Sequence, residues 1–353
     1  MTVSSKIAVA LAEPLRSSQL ERQAILELVG RTAKHIVILG DPHLPGRNIE
    51  AKKQVLQTIN SWEDVDLVVV LGDLCADLGT AEEILFAREF FSALKKPTAF
   101  IHGNHDYVYL DARNSLGKRV MGPPGTRRFK LHRFQKTFAM GSLYYSRRVG
   151  DYLLIFLSAD DLSGSATQFS RKQLDWWQTE MNKNKNIPTL VFSHAPMQGA
   201  MSMVREGGSA IAACVAAVFG GGLEWALPAG VCCDVLTRRL EGRHMAQPQD
   251  TIKKIVEDNP QLFLWASGHF HVTATNRSYN SRDNVYRKQV TLVHNSDMNG
   301  TGYHSPWNSW RHDTIWSNSL YLYPDKVEIK TYDHTRDVWL EKRDRMIFPR
   351  GME

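Results

Sequence analysis

Five short apolar runs punctuate the chain, each ending at a glycine or a small polar residue: HIVILG before Asp41, DLVVVLG before Asp73, TAFIHG before Asn104, PTLVFS before His194 and LFLWASG before His269. Unbroken, β-branched runs of this length read as strands covered on both faces, so a layer must lie above and below the sheet they form. Between them the apolar period lengthens to that of helices. Thr80-Ala81-Glu82-Glu83 has the form of a capping box, and Ile84, Leu85, Ala87, Phe90, Phe91 and Leu94 follow at helical spacing. A second box, Ser170 to Gln173, opens a helix whose Leu174, Trp176, Trp177 and Met181 are assigned to packing, and Asp250 is expected to cap a third running through Ile252, Ile255 and Val256 to Pro260. Ser17 to Leu28 reads as an amphipathic helix covering the first strand. Near the C-terminus, SLYLYPDKVEIKTYD alternates apolar and polar residues around Pro-Asp, which predicts an antiparallel hairpin finishing the second sheet of a β-sandwich flanked by helices.

The expected fold class is therefore α/β. At 353 residues and 43% hydrophobic the chain can bury a large core. One domain over residues 35–353 is expected, preceded by a helical extension over 1–34 and interrupted by an insertion at about 197–249. Four cysteines (Cys75, Cys214, Cys232, Cys233) form neither a zinc-finger spacing nor a disulfide framework, pointing to a reducing, cytoplasmic setting. The early run IAVALA, halted by Glu13 and Pro14, is weak as the apolar core of a secretory signal, and a longer precursor segment before this numbering stays open. The insertion holds GGSAIAACVAAVFGGGLEWALPAGVCC, but Glu224, Pro228 and its glycines break the ~20 uninterrupted apolar residues that a membrane span needs. A buried helix over Ala210–Phe219 is expected instead, placed to form a lid or a homo-oligomer contact.

Each strand ends in residues that carry chemistry. Asp41 and His43 stand in D-x-H, Asp73 after a glycine, Asn104 in G-N-H-D, His194 after its strand, and His269 and His271 in G-H-x-H. Loops at strand carboxyl ends converge on one crevice in layered α/β proteins. Carboxylate, imidazole and amide oxygen without thiolate suit two divalent ions of the Mn, Fe or Zn type. Such a pair sits about 3.5–4 Å apart, shares a bridging carboxylate and lowers the pKa of a water toward ~7. Asp73 is the natural bridge. His105 follows the ligand Asn104, and Asp106 is expected to orient its imidazole and keep it protonated to assist a leaving oxygen.

In this order the five blocks resemble the calcineurin-like metallophosphoesterase superfamily. The resemblance implies a four-layer α/β/β/α sandwich with ligands on loops at strand carboxyl ends. It implies one metal on Asp41, His43, Asp73 and His271, and another on Asp73, Asn104, His194 and His269. His105 would be the acid that contacts phosphate, with catalysis by attack of a metal-bridging hydroxide. Purple acid phosphatases are a poor match, because His43 and Ala76 stand where that branch has Gly and Tyr. GDLCADLG and the run RKQLDWWQTEMNKNKNIPTLVFSHAPM are similar to the branch acting on cyclic nucleotides and glycerophosphodiesters, with Ser193 and Ala195 departing from its pattern.

Charge adds one feature. Residues 112–150 contain no Asp or Glu but ten Lys and Arg: Arg113, Lys118, Arg119, Arg127, Arg128, Lys130, Arg133, Lys136, Arg147 and Arg148. That excess exceeds the net charge of +6, so the remainder is slightly acidic. Following G-N-H-D directly, part of this stretch should border the crevice and attract a phosphorylated small molecule; a solvated basic face is the alternative, and nucleic acid a third. The polar segment His294–Asp313 is expected near the cleft, where Trp307 and Trp310 could stack on a base, or where His294, His304 and His312 are ordinary loop residues. The leading expectation is phosphodiester hydrolysis. Phosphomonoesterase or nuclease action on the same centre stays open. A non-catalytic interaction module would not be expected to retain all seven ligands.

Overall fold

The computed structural model describes residues 33–197, 244–276, 279–305, 308–311 and 313–349. The expected helices at Ser17–Leu28 and Ala210–Phe219, most of the insertion, Cys214, Cys232, Cys233, Trp307 and His312 lie outside these residues, as do the side chains of His304 and Trp310. No described helix is long and apolar enough to cross a membrane.

Alternating side chains on doubly covered strands generate the layers. Strands β1 (Lys34–Leu39), β2 (Val65–Val70) and β3 (Thr98–Phe100) are parallel neighbours. Helices α1 (Ile49–Ser61) and α2 (Ala81–Ser92) connect them. Val37, Leu39, Val68 and Val70 face these helices and pack on Val55, Leu56, Ile59, Ile84 and Phe90. Ile36, Ile38, Leu67 and Val69 face the other way, against a second sheet.

G-N-H-D opens the single-turn α3 (Asn104–Tyr107), and α4 (Pro124–Thr137) follows. The second sheet begins with β4 (Tyr145–Val149) and β5 (Tyr152–Leu157), then β6 (Thr189–Ser193) and β7 (Leu262–Ser267). β8 (Val285–Tyr286) and β9 (Val290–His294) complete it in the order β4-β5-β6-β7-β9-β8. Its inner face gives Leu154, Phe156, Leu190, Phe192, Leu264 and Ala266 to the core between the sheets. Its outer face is covered by α5 (Arg171–Lys183) and α6 (Gln249–Glu257), through Leu174, Trp177, Met181, Ile252, Ile255 and Val256. The result is the four-layer α/β/β/α sandwich. At the centre of the outer core Trp177 meets Trp265 edge-on at 6.0 Å between centroids; truncating such a ring typically costs ~3–5 kcal/mol.

A two-stranded ribbon, β10 (Thr301–Ser305) and β11 (Asn308–Arg311), precedes the C-terminal strands. β12 (Trp316–Leu322) and β13 (Val327–Asp333) form the expected antiparallel hairpin, closed by Tyr323 N–H donating to Lys326 O at 2.9 Å. Its position corrects the sequence reading. β12 pairs antiparallel with β1, so the hairpin extends the first sheet, and β14 (Val338–Trp339) and β15 (Arg345–Ile347) add to its edge.

The caps divide similarly. Thr80 and Glu83 make the reciprocal box: Glu83 N–H donates to Thr80 Oγ1 at 3.3 Å, and Thr80 N–H to Glu83 Oε2 at 3.0 Å. Ser170 caps α5 by accepting from Gln173 N–H at 3.2 Å, but Gln173 does not return the contact. Its amide is committed to Ser158 and Asp160, and Asp160 Oδ1 takes the Ser170 N–H instead. Asp250 is no cap either, because α6 begins one residue earlier, behind Pro248.

Candidate metal centre

The five ligand-bearing turns come from both sheets: β1, β2 and β3 from the first, β6 and β7 from the second. Backbone bonds tie them together, including His43 N–H to Asp73 O at 2.9 Å and Gly268 N–H to His194 O at 3.2 Å. All seven expected ligands converge. Asp41, His43, Asp73 and His271 form one cluster of donor atoms within 4.8 Å of one another, and Asp73, His194 and His269 form another. Asn104 Oδ1 lies 3.1 Å from His194 Nε2, bringing the amide to the second cluster. Asp73 belongs to both.

The turns are tight enough that Asp41, His43, Asp73, His269 and His271 all take left-handed backbone with φ between 43° and 69°. Such conformations are uncommon outside glycine and persist where surrounding structure over-determines them. Backbone carbonyls fix the rings: His194 Nδ1 lies 2.9 Å from Leu71 O and His43 Nδ1 3.3 Å from Cys75 O, which sets Nδ1–H and turns Nε2 inward. The Asp41 carboxylate accepts His269 N–H at 3.0 Å.

The inward atoms confront one another in a way that fits cations. His43 Nε2 is 3.2 Å from His271 Nε2, and His194 Nε2 is 3.0 Å from His269 Nδ1. Paired ring nitrogens beside buried carboxylates at 3.4–3.9 Å (His194 to Asp73 and His43 to Asp73) could supply the donor set of a divalent ion. Proton affinities follow from the same crowding. Burial opposes charge on His194, but Asp73 and Asp41 raise it to about 9; burial likewise opposes charge on His271, which Asp297 and Asp41 raise to about 9. Burial and neighbouring imidazoles hold His43 and His269 well below the ordinary value. Asp73, despite burial, is held well below the usual carboxylate range, by His194 first of all. A divalent cation held here would compete with protons for His194 and His271.

His105 and Asp106 part company here. The His105 backbone N–H donates to Asp73 Oδ1 at 2.7 Å, and its ring meets His43 edge-on at 5.0 Å. Asp106 does not orient that ring, which corrects the sequence reading. Its fully buried carboxylate accepts Gly103 N–H at 2.7 Å and Cys75 N–H at 2.9 Å, bracing the Asp73 turn against the Asn104 turn. Burial, then Asp73, pushes Asp106 up to about 7. The imidazole is instead held by Asp77 O, 3.0 Å from Nδ1, with Arg119 Nη1 3.1 Å from Nε2. A carbonyl only accepts and a guanidinium only donates, so the ring is the neutral Nδ1–H tautomer. Burial agrees, pushing His105 below its usual value.

Three nearby groups carried no motif. Asp297 is buried with Oδ2 3.6 Å from His271 Nδ1, behind a ligand. Lys52 is buried with Nζ 3.0 Å from His43 O and 2.9 Å from Asn299 Oδ1, and burial pushes it down to about 7. His244 Nδ1 lies 3.2 Å from His269 Nε2. Only Asp297 had a signal, the polar segment from His294 onward.

The basic stretch is split in role. Arg127 donates to Leu162 O, Lys130 to Leu78 O and Arg133 to Gly79 O, so these cations brace the fold. Arg113 and Arg119 reach the rim, both on Asp77 Oδ1, at 2.6 and 2.9 Å.

A family model described as calcineurin-like phosphoesterase matches residues 34–273. Among solved structures, the chain is similar to a dimetal phosphatase from Danio rerio, with 12% identity and a TM-score of 0.53 over 90% of this chain and 99% of that one. It is also similar to the purple acid phosphatase PPD1 from yellow lupin (Lupinus luteus), with 13% identity and a TM-score of 0.52 over 90% of this chain and 54% of that one. The chain thus spans about half the lupin enzyme, and at these identities the likeness is one of fold. No match was found among curated proteins.

Proposed function

Because the chain belongs to the calcineurin-like phosphoesterase family, we propose that it is a dinuclear metal-dependent phosphoric ester hydrolase whose substrate is a phosphodiester. The observation that carries this reading is the pair of donor clusters sharing Asp73. Asp41, His43, Asp73 and His271 would hold one divalent ion of the Mn, Fe or Zn type, and Asp73, Asn104, His194 and His269 the other. When bound, such a pair supplies hydroxide at neutral pH and offsets charge on phosphoryl oxygens. The likeness of GDLCADLG and of the helix before His194 to phosphodiesterase sequences supports the diester.

The chain's own groups do the rest. Asp73 is locked by the His105 N–H on Oδ1, which leaves Oδ2 toward His194 and His43. His105, anchored at Nδ1 by Asp77 O, turns Nε2 to the crevice, where it would take up a proton from solvent and, as the imidazolium, give it to the leaving oxygen. An alkoxide needs that proton far more than an aryloxide does. His105→Ala is therefore expected to keep both metals and lower turnover of an alkyl phosphodiester by ~10²–10⁴-fold, with a much smaller loss on a nitrophenyl diester. Equal losses on the two substrates would remove the proton-transfer role. The diester assignment is tested by kcat/KM of metal-loaded protein on matching aryl diester and monoester; a monoester preference would overturn it, and strongly salt-dependent binding and cleavage of DNA would replace it with a nuclease.

A further inference from the structure

Arg119 is built into the mouth of the site by a small closed loop. Tyr109 and Met121 bridge antiparallel, Leu110 N–H donates to Val120 O at 2.9 Å, and Asn114 Oδ1 accepts from Leu116 and Lys118 N–H at 3.0 and 2.9 Å. The guanidinium is then fixed on three sides. Nε donates to Asp77 Oδ1 at 2.9 Å, Nη1 lies 3.1 Å from His105 Nε2, and the carbon sits 5.5 Å from the Tyr109 ring centroid. Arg113 shares the same carboxylate oxygen, so Asp77 does not cancel both cations and a net positive charge stays at the rim. Two of the five N–H donors are engaged among the described residues, and the side chain remains 37% exposed, so the others are available to a ligand.

We propose that Arg119 is a specificity-determining residue that contacts the non-bridging oxygens of the substrate's phosphoryl group. A planar guanidinium whose direction is set by Asp77 and Tyr109 matches two such oxygens at once, which an ammonium does not. It is also permanently charged, so at the mouth of the site it presents fixed positive charge to a phosphoryl group. His105 Nε2, released from Arg119 when the guanidinium turns to the anion, is then free to take up a proton from solvent and pass it to the leaving oxygen. This inference rests on the phosphoesterase reading.

The test uses the full chain loaded with metal, with inorganic phosphate as the probe in calorimetry and kcat/KM on the aryl diester in parallel. Arg119→Ala is expected to keep the wild-type metal content, weaken phosphate binding at least ~10-fold and lower kcat/KM by ~10–100-fold. Arg119→Lys should recover only part of each. Arg148→Ala, on the exposed face of β4, removes the same charge from the basic stretch and should change both by less than ~2-fold. Phosphate affinity and kcat/KM within twofold of wild type in Arg119→Ala would overturn the proposal, as would an equal loss in Arg148→Ala, which would mark a diffuse field. If metal-loaded wild type neither binds phosphate nor turns over any ester, the phosphoesterase reading itself falls. An active wild type with an unaffected Arg119→Ala defeats only the role of Arg119.

Discussion

Asp73→Asn should strip both ions from the protein at once and reduce kcat/KM by at least ~10³-fold, equivalent to about 4 kcal/mol of transition-state stabilisation. The substitution is nearly isosteric and keeps the acceptor for His105 N–H, so the turn has no steric reason to move. What it removes is, among the described residues, the one charge common to the two clusters. His271→Ala, by contrast, touches the first cluster alone and should leave the second ion measurable. Elemental analysis of the purified variants separates these cases. Both ions retained in Asp73→Asn would mean that Asp73 is not shared, and the two-metal assignment would fail with it.

Gly103→Ala is expected to come close to that effect without altering any ligand. A Cβ at Gly103 would fall 2.2 Å from Asp73 Oδ1 and 2.4 Å from Asp73 N, so the shared carboxylate and its own backbone would both have to retreat. Gly268→Ala is the counterpart on the other sheet, with Cβ 2.2 Å from Asp41 Oδ2. A displacement near 1 Å is enough to cost ~10²-fold in rate, and we expect at least that loss in each. Metal depletion should be confined to the Asp41 cluster in Gly268→Ala and span both in Gly103→Ala. Gly125→Ala, in α4 with open space around the new methyl, is the control and should be fully active. Normal metal content and rate in Gly103→Ala would show that the turns yield, and that close packing of glycine on carboxylate does not position the site.

The apolar runs made the strands legible because doubly covered strands carry their own signature, and each ligand lay at the end of one. The hairpin was legible for the same reason, from its alternation and Pro-Asp turn, but not which sheet it joined. That choice is a long-range pairing of β12 with β1, and neither strand encodes its partner locally. Asp106 was misread because adjacency in sequence suggested adjacency of side chains. Successive residues of a helical turn point in different directions, and Asp106 turns to the Gly103 and Cys75 amides while His105 turns to Asp77. Asp250 and Gln173 show the limit of cap patterns. Pro248 already sets the start of α6, and the Gln173 side chain found the better-placed partners Ser158 and Asp160. Arg119 stood among ten basic residues that composition could not rank; the ranking came from the turn that folds residues 109–121 back over His105.

Five of the side chains proposed to hold metal hang from left-handed backbone that an L-residue adopts at a cost of order 1–3 kcal/mol each. Glycine would be comfortable at every one of those positions and useless there. The scaffold is thus held away from its stability optimum at these turns, and on the proposed reading bound metal would offset part of the cost by mass action on the folded state. Selection for heat resistance in the absence of metal would pull these turns toward glycine, while selection for turnover holds them at Asp and His; the two pressures act on the same five codons in opposite directions.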